Sequence, residues 1–374
     1  MNYFSRKGVD LYCEGVSLAE LAQKFGTPLY VYSYSLIRDK CNQFTEAFSK
    51  YPNQICYAVK ANDNLSILKT IFHLGLGADV VSIGEMERCV RVGLEPERIV
   101  FSGVGKTGFE ISRAIDLQVG ALNVESLSEL LLIKKLTEEK KKKISINLRV
   151  NPNIDVKTNP YIATGLYQTK FGIADEAVVE VLRQVKDHPF ICVEGLACHI
   201  GSQITELKSF ESATERLVFL AREIQKSGYP ISRLDLGGGL GISYQDNEMS
   251  PSITQYAQTL LKHLKDSSFK LFLEPGRSII GEAGGLLTQV IHTKQNRERH
   301  FTIVDGAMTE LIRPSLYEAF HEIVPVKSKS SQSVVTDIVG PVCETGDFLG
   351  LGRTLPEPES GELLLIKTAG AYGS

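Results

Sequence analysis

The sequence predicts an α/β protein: a (β/α)8 TIM-like barrel joined to a second, mostly β domain. Three observations predict it. Short, almost continuously apolar runs rich in β-branched residues recur through the middle of the chain. The segments between them carry apolar residues at three- and four-residue intervals, the pattern of a helix with one buried face. After residue 281 the helical spacers give out and strand-like runs follow one another through loops.

Taken in order, the first 30 residues do not fit the repeat and are expected to join the β domain. Apolar runs then begin near Gln54 (QICYAVKAN), Gly77 (GADVVS), Arg98 (RIVFSG), Ala121 (ALNVES) and Ile144 (ISINLRVNP). Their step is about 22 residues, long enough for one strand and one helix. LSILKTIFHLG and IGEMERCVRVG are the clearest helical spacers. CVEGLACHIGS, ISRLDLGGGL and KLFLEPGRSI follow at wider spacing, with helical stretches such as FESATERLVFLAREIQ between them. Near-continuous apolarity marks strands buried on both faces, as in a parallel sheet. A doubly wound sheet competes, but eight units in series with polar residues at the strands' C-terminal ends favour the barrel. GGLLTQVIHTK, HFTIVDGA, SVVTDIVGP and GELLLIKTAG form the β domain. The expected division is 1–30 as a segment joining the β domain, 31–280 as the barrel and 281–374 as the C-terminal β domain.

Bulk properties narrow the function. The chain has 374 residues, and a single hydrophobic core stops growing at roughly 250–300, so two domains are expected. With 43% hydrophobic and 23% charged residues, there is ample apolar surface to bury, which excludes disorder as the main state. A net charge of −3 leaves no basic footprint for nucleic acid, and the charge run at 138–143 reads as a solvated helix end. Neither a signal peptide nor an apolar run of membrane-spanning length is visible. The cysteines, at 13, 41, 56, 89, 192, 198 and 343, include no CxxC pair, so neither a zinc ribbon nor a disulfide framework is supported. Scattered thiols fit a reducing cytoplasm, and most are expected to be buried small hydrophobes.

Several motifs bear on chemistry. GVGKTG at 103–108 matches G-x-G-x-x-G, but the glycine a P-loop needs six residues before Lys106 is Val100. The segment follows the third strand of a repeat, not the first, so it is expected to be an ordinary barrel loop. Lys60, in YAVKAN at the end of the first barrel strand, is either a snorkelling side chain or a Schiff-base lysine, whose amine stays nucleophilic in an apolar pocket. The glycines of GGGLG at 237–241 form a tight turn or a phosphate cradle, and barrels commonly bind phosphate after strands seven and eight. Glu274, in EPGR after strand eight, is a surface carboxylate or the partner of a pyridine nitrogen. His199 and Ser202, in HIGS, end strand six; a lone histidine is more often structural than catalytic. Arg149, Gly239 and these residues fall on one barrel face. An amine for an imine, glycine amides for a phosphate, a carboxylate for a pyridinium and an imidazole for stacking together specify pyridoxal 5'-phosphate.

Across almost its whole length the chain resembles the fold-type III, alanine-racemase-like pyridoxal-phosphate decarboxylases, and among them the diaminopimelate decarboxylases. YAVKAN, RVNPNIDVKTNPYIATG with KFGI, HIGSQI, LDLGGGLGI, LEPGRSI, DGAMTELIRPSLYEAFHEI, GPVCETGDFL and TAGAYG resemble that family's blocks in the same order. The resemblance implies decarboxylation of meso-2,6-diaminopimelate to L-lysine and CO2, the last step of lysine biosynthesis. It implies that Lys60 forms the imine with the cofactor, that His199 stacks on its ring and that Glu274 pairs with its nitrogen. Ser202, Gly238, Gly239 and the backbone of Glu274, Pro275, Gly276 and Arg277 would hold the phosphate, helped by Tyr372, with Asp79 and Arg149 completing the cofactor set. Arg277, Arg313 and Tyr317, again with Tyr372, would bind the substrate's retained carboxylate, and Glu344 its distal ammonium. Cys343 would return a proton to the carbon that loses CO2. In this family Cys343 and Glu344 would reach the partner subunit's site, so a homodimer follows; no metal, membrane or nucleic acid is implied.

Two departures stand out. Many relatives have His where this chain has Asn159, which is expected to alter a loop contact. The family also continues past the AGAYG block with a further strand-forming segment; either that tail has been removed from this chain, or the β domain is expected to lack its last strands. Relatives acting on ornithine, arginine or carboxynorspermidine, and catalytically dead homologues that bind a partner, are the alternatives. The Cys343-Glu344 pair, Arg313 and IATG argue against the former, and the intact Lys60, Glu274 and Cys343 against the latter.

Overall fold

The computed structural model describes residues 3–154, 156, 162, 164–165, 168–245, 248–265 and 267–373. Asn159 lies outside the described residues. The chain forms two compact units. One comprises Lys40–Gly241 and Ser250–Ser278, the other Met1–Asp39, Ile242–Met249 and Ile279–Ser374. The second unit thus takes in residues through Asp39 and the segment 242–249, beyond the boundaries drawn from the sequence.

The first unit is the barrel. Its strands are β1 (Asn53–Ala58), β2 (Gly77–Val80), β3 (Ile99–Phe101), β4 (Ala121–Val124), β5 (Ile144–Asn151), β6 (Ile191–Ala197), β7 (Arg233–Asp235) and β8 (Lys270–Leu273). Each pairs in parallel with the next, and β8 pairs with β1, so the sheet closes on itself without an edge. All eight coincide with the apolar runs of the sequence. Strands β2, β3 and β4 are buried at every residue, which explains why they read as unbroken apolar runs. The loops leaving the strands' C-terminal ends deliver helix caps. Asn64, Ser82, Thr107, Ser126 and Ser252 each accept a backbone N–H of the helix that follows, satisfying donors that a helix start leaves open.

The GVGKTG segment is the loop after β3. Lys106 is buried, and its ammonium donates to Gly103 O (2.6 Å) and Asn123 O (2.8 Å) and pairs with Glu129 (2.8 Å). Three acceptors use the three donors of the ammonium, so the lysine is an internal clamp.

The second unit is built on β9 (Gly284–Asn296), β10 (Arg299–Val304), β11 (Ile323–Pro325), β12 (Ser333–Val339), β13 (Phe348–Pro356) and β14 (Leu363–Ile366). Leu29–Tyr32 adds an antiparallel strand against Gly284–Leu287 of β9. Alternation along β9 and β14 feeds two cores. Leu286, Leu364 and Ile366 pack in one with Val304, Leu311, Ile338 and Leu349. Leu287 and Leu365 pack in the other with Leu11, Leu18 and Val31. The second core is completed by a three-stranded antiparallel sheet, Phe4–Lys7, Asp10–Cys13 and Val16–Ser17, that the sequence pattern did not show.

Five cysteines are buried, but Cys192 and Cys343 are exposed, and all seven are free. Burial of most of the thiols agrees with the expectation from the sequence. Cys192 sits on β6 at a position facing outward, where the strand's burial lapses.

Candidate active site

The barrel places one cluster at the C-terminal ends of its strands. Lys60 sits one short turn beyond β1, in Val59–Ala61, not at the strand end itself. Its ammonium meets Asp79 Oδ2 of β2 at 2.6 Å. Asp79 is wholly buried, and its Oδ1 has no hydrogen-bond partner among the described residues. Arg149, inside β5, pairs with Glu125 at 2.6 Å and lies over the Phe171 ring. Glu125 in turn accepts the Gly172 N–H at 2.9 Å.

Two residues beyond β6, His199 Nδ1 accepts the N–H of Gly238 at 3.2 Å, which puts the ring proton on Nε2 and fixes the ring plane. Burial, then the charges of Arg149 and Lys60, push its pKa well below the ordinary imidazole value, so the ring is neutral. The glycine run that follows β7 is dictated by close approach. Gly237 and Gly239 have φ of +65° and +108°, a region L side chains rarely enter. A Cβ on Gly238 would run into the carbonyl oxygen of Glu274, and one on Gly239 into that of Gly201. Ser202 Oγ accepts from Arg277 Nη2 at 3.0 Å and Nε at 3.3 Å. Pro275 accepts the N–H of Ala58 through its carbonyl at 3.1 Å, joining the turn after β8, with Gly276, to the end of β1.

Glu274 is the centre of a buried polar network that the sequence reading missed. Its Oε1 accepts from Asn123 Nδ2 (3.2 Å) and Ser102 Oγ (3.4 Å). Asn123 Nδ2 also reaches Asp235 Oδ2 (3.5 Å), while Asn147 Nδ2 donates to Asn123 Oδ1 (2.8 Å) and so fixes which way that amide faces. Burial, then the charges of Asp235 and Asp79, push Glu274 well above the usual carboxylate range, with Lys60 opposing. Asp235 is raised by burial as well. The signal was present in part: Asn123 is a polar residue within an otherwise apolar strand, ALNV.

The second unit carries the remaining candidates. Arg313 and Tyr317 lie on one helical turn, Arg313–Tyr317. Arg313 is buried, donates to His321 Nε2 at 2.7 Å and covers the Tyr244 ring. Cys343 and Glu344 lie in an exposed loop between β12 and β13. Buried Asp347 organises that loop, accepting the N–H groups of Met308 (2.7 Å) and Val342 (2.8 Å). Ser315 Oγ donates to Gly346 O at 2.6 Å, tying the Arg313 turn to the same loop. Tyr372 is half-buried at a left-handed backbone position, φ +57°. Replacing Asp347 by alanine orphans two backbone donors and should cost about 2–4 kcal/mol. Urea unfolding of the variant and wild type measures it.

Comparison with known proteins places this geometry. Residues 34–281 match the family described as pyridoxal-dependent decarboxylase, pyridoxal binding domain. The diaminopimelate decarboxylase of Vibrio cholerae is 45% identical over all of this chain and 89% of its own length. The chain belongs to the diaminopimelate decarboxylase family. The enzyme of Aquifex aeolicus of the same name is also 45% identical, over 99% of this chain and 88% of its own. The crystal structure of diaminopimelate decarboxylase from Helicobacter pylori complexed with L-lysine superimposes with a TM-score of 0.92. It is 42% identical, covering 95% of this chain and 89% of that one. Within the family's fold, a parallel eight-stranded barrel and a separate mostly β unit, the strand-end cluster described above occupies the family's pyridoxal binding domain.

Proposed function

We propose that this protein removes the carboxylate from one end of meso-2,6-diaminopimelate, giving L-lysine and CO2, with pyridoxal 5'-phosphate as cofactor. The observation that carries the reading is the strand-end cluster, with its lysine, glycine cradle and buried carboxyl, in a chain alike over its full length to diaminopimelate decarboxylases.

The residues fit the cofactor. The glycine cradle leaves no room for a Cβ, so the backbone of Gly239 allows a close anionic approach, while the Gly238 N–H is spent on His199 Nδ1. Asp79 Oδ1 is a buried acceptor without a partner among the described residues. Bound pyridoxal phosphate supplies the electron sink that lets the bond to the departing carboxylate break. Lys60 is the covalent anchor, oriented by Asp79. His199, neutral and pinned by Gly238, offers a flat face for the ring. Glu274, held in a low-dielectric network, would pair with the ring nitrogen and keep a proton there. Ser202, Gly238, Gly239 and the 274–277 turn take the phosphate, with Arg149 adding positive charge and Tyr372 a hydroxyl. Arg277, Arg313 and Tyr317 hold the carboxylate that is retained, as forked guanidiniums suit, and Glu344 holds the distal ammonium. Cys343 delivers a proton to the carbon left by CO2.

Exposure of the Cys343–Glu344 loop supports a homodimer in which each subunit lends these two residues to its partner. Seven free thiols suit the cytoplasm. Among the described residues no helix is long and apolar enough to cross a membrane.

CO2 release from a panel of amino acids tests the reading. Turnover of meso-diaminopimelate should exceed that of ornithine, arginine and carboxynorspermidine by about 100-fold or more in kcat/KM, because polar groups built for a second carboxylate stay unpaired with substrates that lack it. Equal or faster turnover of ornithine would overturn it.

A further inference from the structure

His321 stands in none of the roles above, yet it is completely buried and touches Arg313 directly. Its two ring nitrogens have different neighbours. Nδ1 lies 3.0 Å from the carbonyl oxygen of Lys367, just past β14, and Nε2 lies 2.7 Å from Arg313 Nη1. A carbonyl can only accept and a guanidinium can only donate. Nδ1 therefore carries the proton, and Nε2 is a lone pair aimed at the arginine. The imidazole is neutral in this arrangement, since a second ring proton would put two donors face to face at 2.7 Å. The Tyr244 ring closes the cluster. It lies 4.7 Å from the guanidinium carbon and meets the imidazole edge-on, with 5.3 Å between ring centroids.

The chemistry of this contact differs from that of an ion pair. A carboxylate in the place of His321 would aim the guanidinium equally well but cancel its charge. A neutral acceptor fixes direction without itself cancelling the charge. The aromatic face of Tyr244 acts in the same sense, favouring a cation without neutralising it. We infer that His321 is a positioning residue: its neutral Nε2 aims Arg313 and thereby sets the preference for ligands that carry a carboxylate. The inference rests on the reading that Arg313 binds the retained carboxylate. That carboxylate is untouched by the reaction, so its binding contributes alike to ground and transition states, and loss of aim falls on KM more than on kcat.

Two substitutions separate positioning from mere packing. His321→Asn keeps a donor near the Nδ1 position, for Lys367 O, but has nothing that reaches Arg313. His321→Gln carries an acceptor out to the Nε2 position and gives up the bond to Lys367. The probes are L-lysine, which carries the carboxylate, and cadaverine, which lacks it. Binding of each to the pyridoxal-phosphate-loaded protein is measured by calorimetry, with KM and kcat for meso-diaminopimelate alongside. His321→Asn should weaken L-lysine by about 10- to 100-fold, the span expected for a lost hydrogen bond to a charged group, and leave cadaverine unchanged. His321→Gln should retain most of the L-lysine affinity.

If His321→Asn leaves the ratio of the two affinities unchanged, or His321→Gln loses as much as His321→Asn, the inference is overturned. Should His321→Asn fail to fold, the Gln variant decides, because loss of carboxylate preference in a folded protein that keeps the acceptor contradicts positioning. Arg313→Leu separates the two layers. A preserved ratio in that variant removes the carboxylate reading itself, whereas a collapsed ratio there with an intact one in His321→Asn removes only the role of His321.

Discussion

Cys343→Ala lowers kcat by about 10²- to 10⁴-fold, the usual contribution of a positioned proton donor, while the visible band of the bound cofactor stays at full strength. The two effects separate because the thiol lies in the exposed loop held by Asp347, whereas the residues proposed to hold the cofactor lie at the ends of the barrel strands. Lys60→Ala gives the opposite pattern, with the band lost. Mixing the two inactive proteins under conditions of subunit exchange then restores about a quarter of wild-type activity. Half of the random dimers are mixed, and each mixed dimer holds one site with both native residues if the site is shared across a two-fold axis. Activity that survives in Cys343→Ala would remove the thiol from the chemistry, and no recovery on mixing would confine each site to one subunit.

Glu274→Gln moves activity and stability in opposite directions. The amide keeps the shape and the bond from Asn123 but supplies no negative charge at the ring nitrogen, so kcat falls by roughly 10²- to 10³-fold, as for loss of one preorganised electrostatic partner. In the cofactor-free protein the carboxyl is a burden. Burial and the neighbouring Asp235 and Asp79 raise its folded pKa above the unfolded value, so the folded state retains a proton that the unfolded chain releases. Stability therefore falls as pH rises from the unfolded pKa through the folded one. Glutamine does not titrate, so the cofactor-free variant should melt higher than wild type at neutral pH, with a shallower loss of melting temperature on the alkaline side. Calorimetric scans across pH measure it, and a lower melting temperature for the variant at every pH would show that Glu274 is not held in this strained state.

How much of this was legible in the sequence follows from which interactions build each part. The barrel strands could be read because burial on both faces leaves a one-dimensional record, as in GADVVS and ALNVES. Strand β13, FLGLGRTLP, could not. Gly350 is there because Arg353, lying across the Phe320 ring, occupies the space a Cβ would take, and Gly352 has φ +61°. Two glycines in five residues break the strand-like apolar pattern, so the segment resembles a loop in sequence. The strand-end residues of the barrel were found by motif, because polar residues and glycine runs stand out at the ends of apolar strands. His321 and Asp235 were not, because their meaning lies in a partner, Arg313 or Glu274, and partnership is written only in three dimensions. Composition says that most cysteines lie inside but not which ones, and only the position of Cys192 on β6 reveals that it faces out.

The steric lock at Gly237–Gly239 also bears on how such a molecule changes over evolutionary time. Those glycines are opposed by backbone oxygens of Cys198, Gly201 and Glu274, and a main chain cannot be trimmed by substitution to make room. The cofactor end of the barrel is thus nearly frozen against drift. Arg313, by contrast, is held by an imidazole and a phenol ring, both replaceable one codon at a time. If Arg313 binds the retained carboxylate as proposed, the physical cost of exploring new substrates is low in the β unit and prohibitive at the cradle, so variation in specificity has an open route that leaves the reaction untouched.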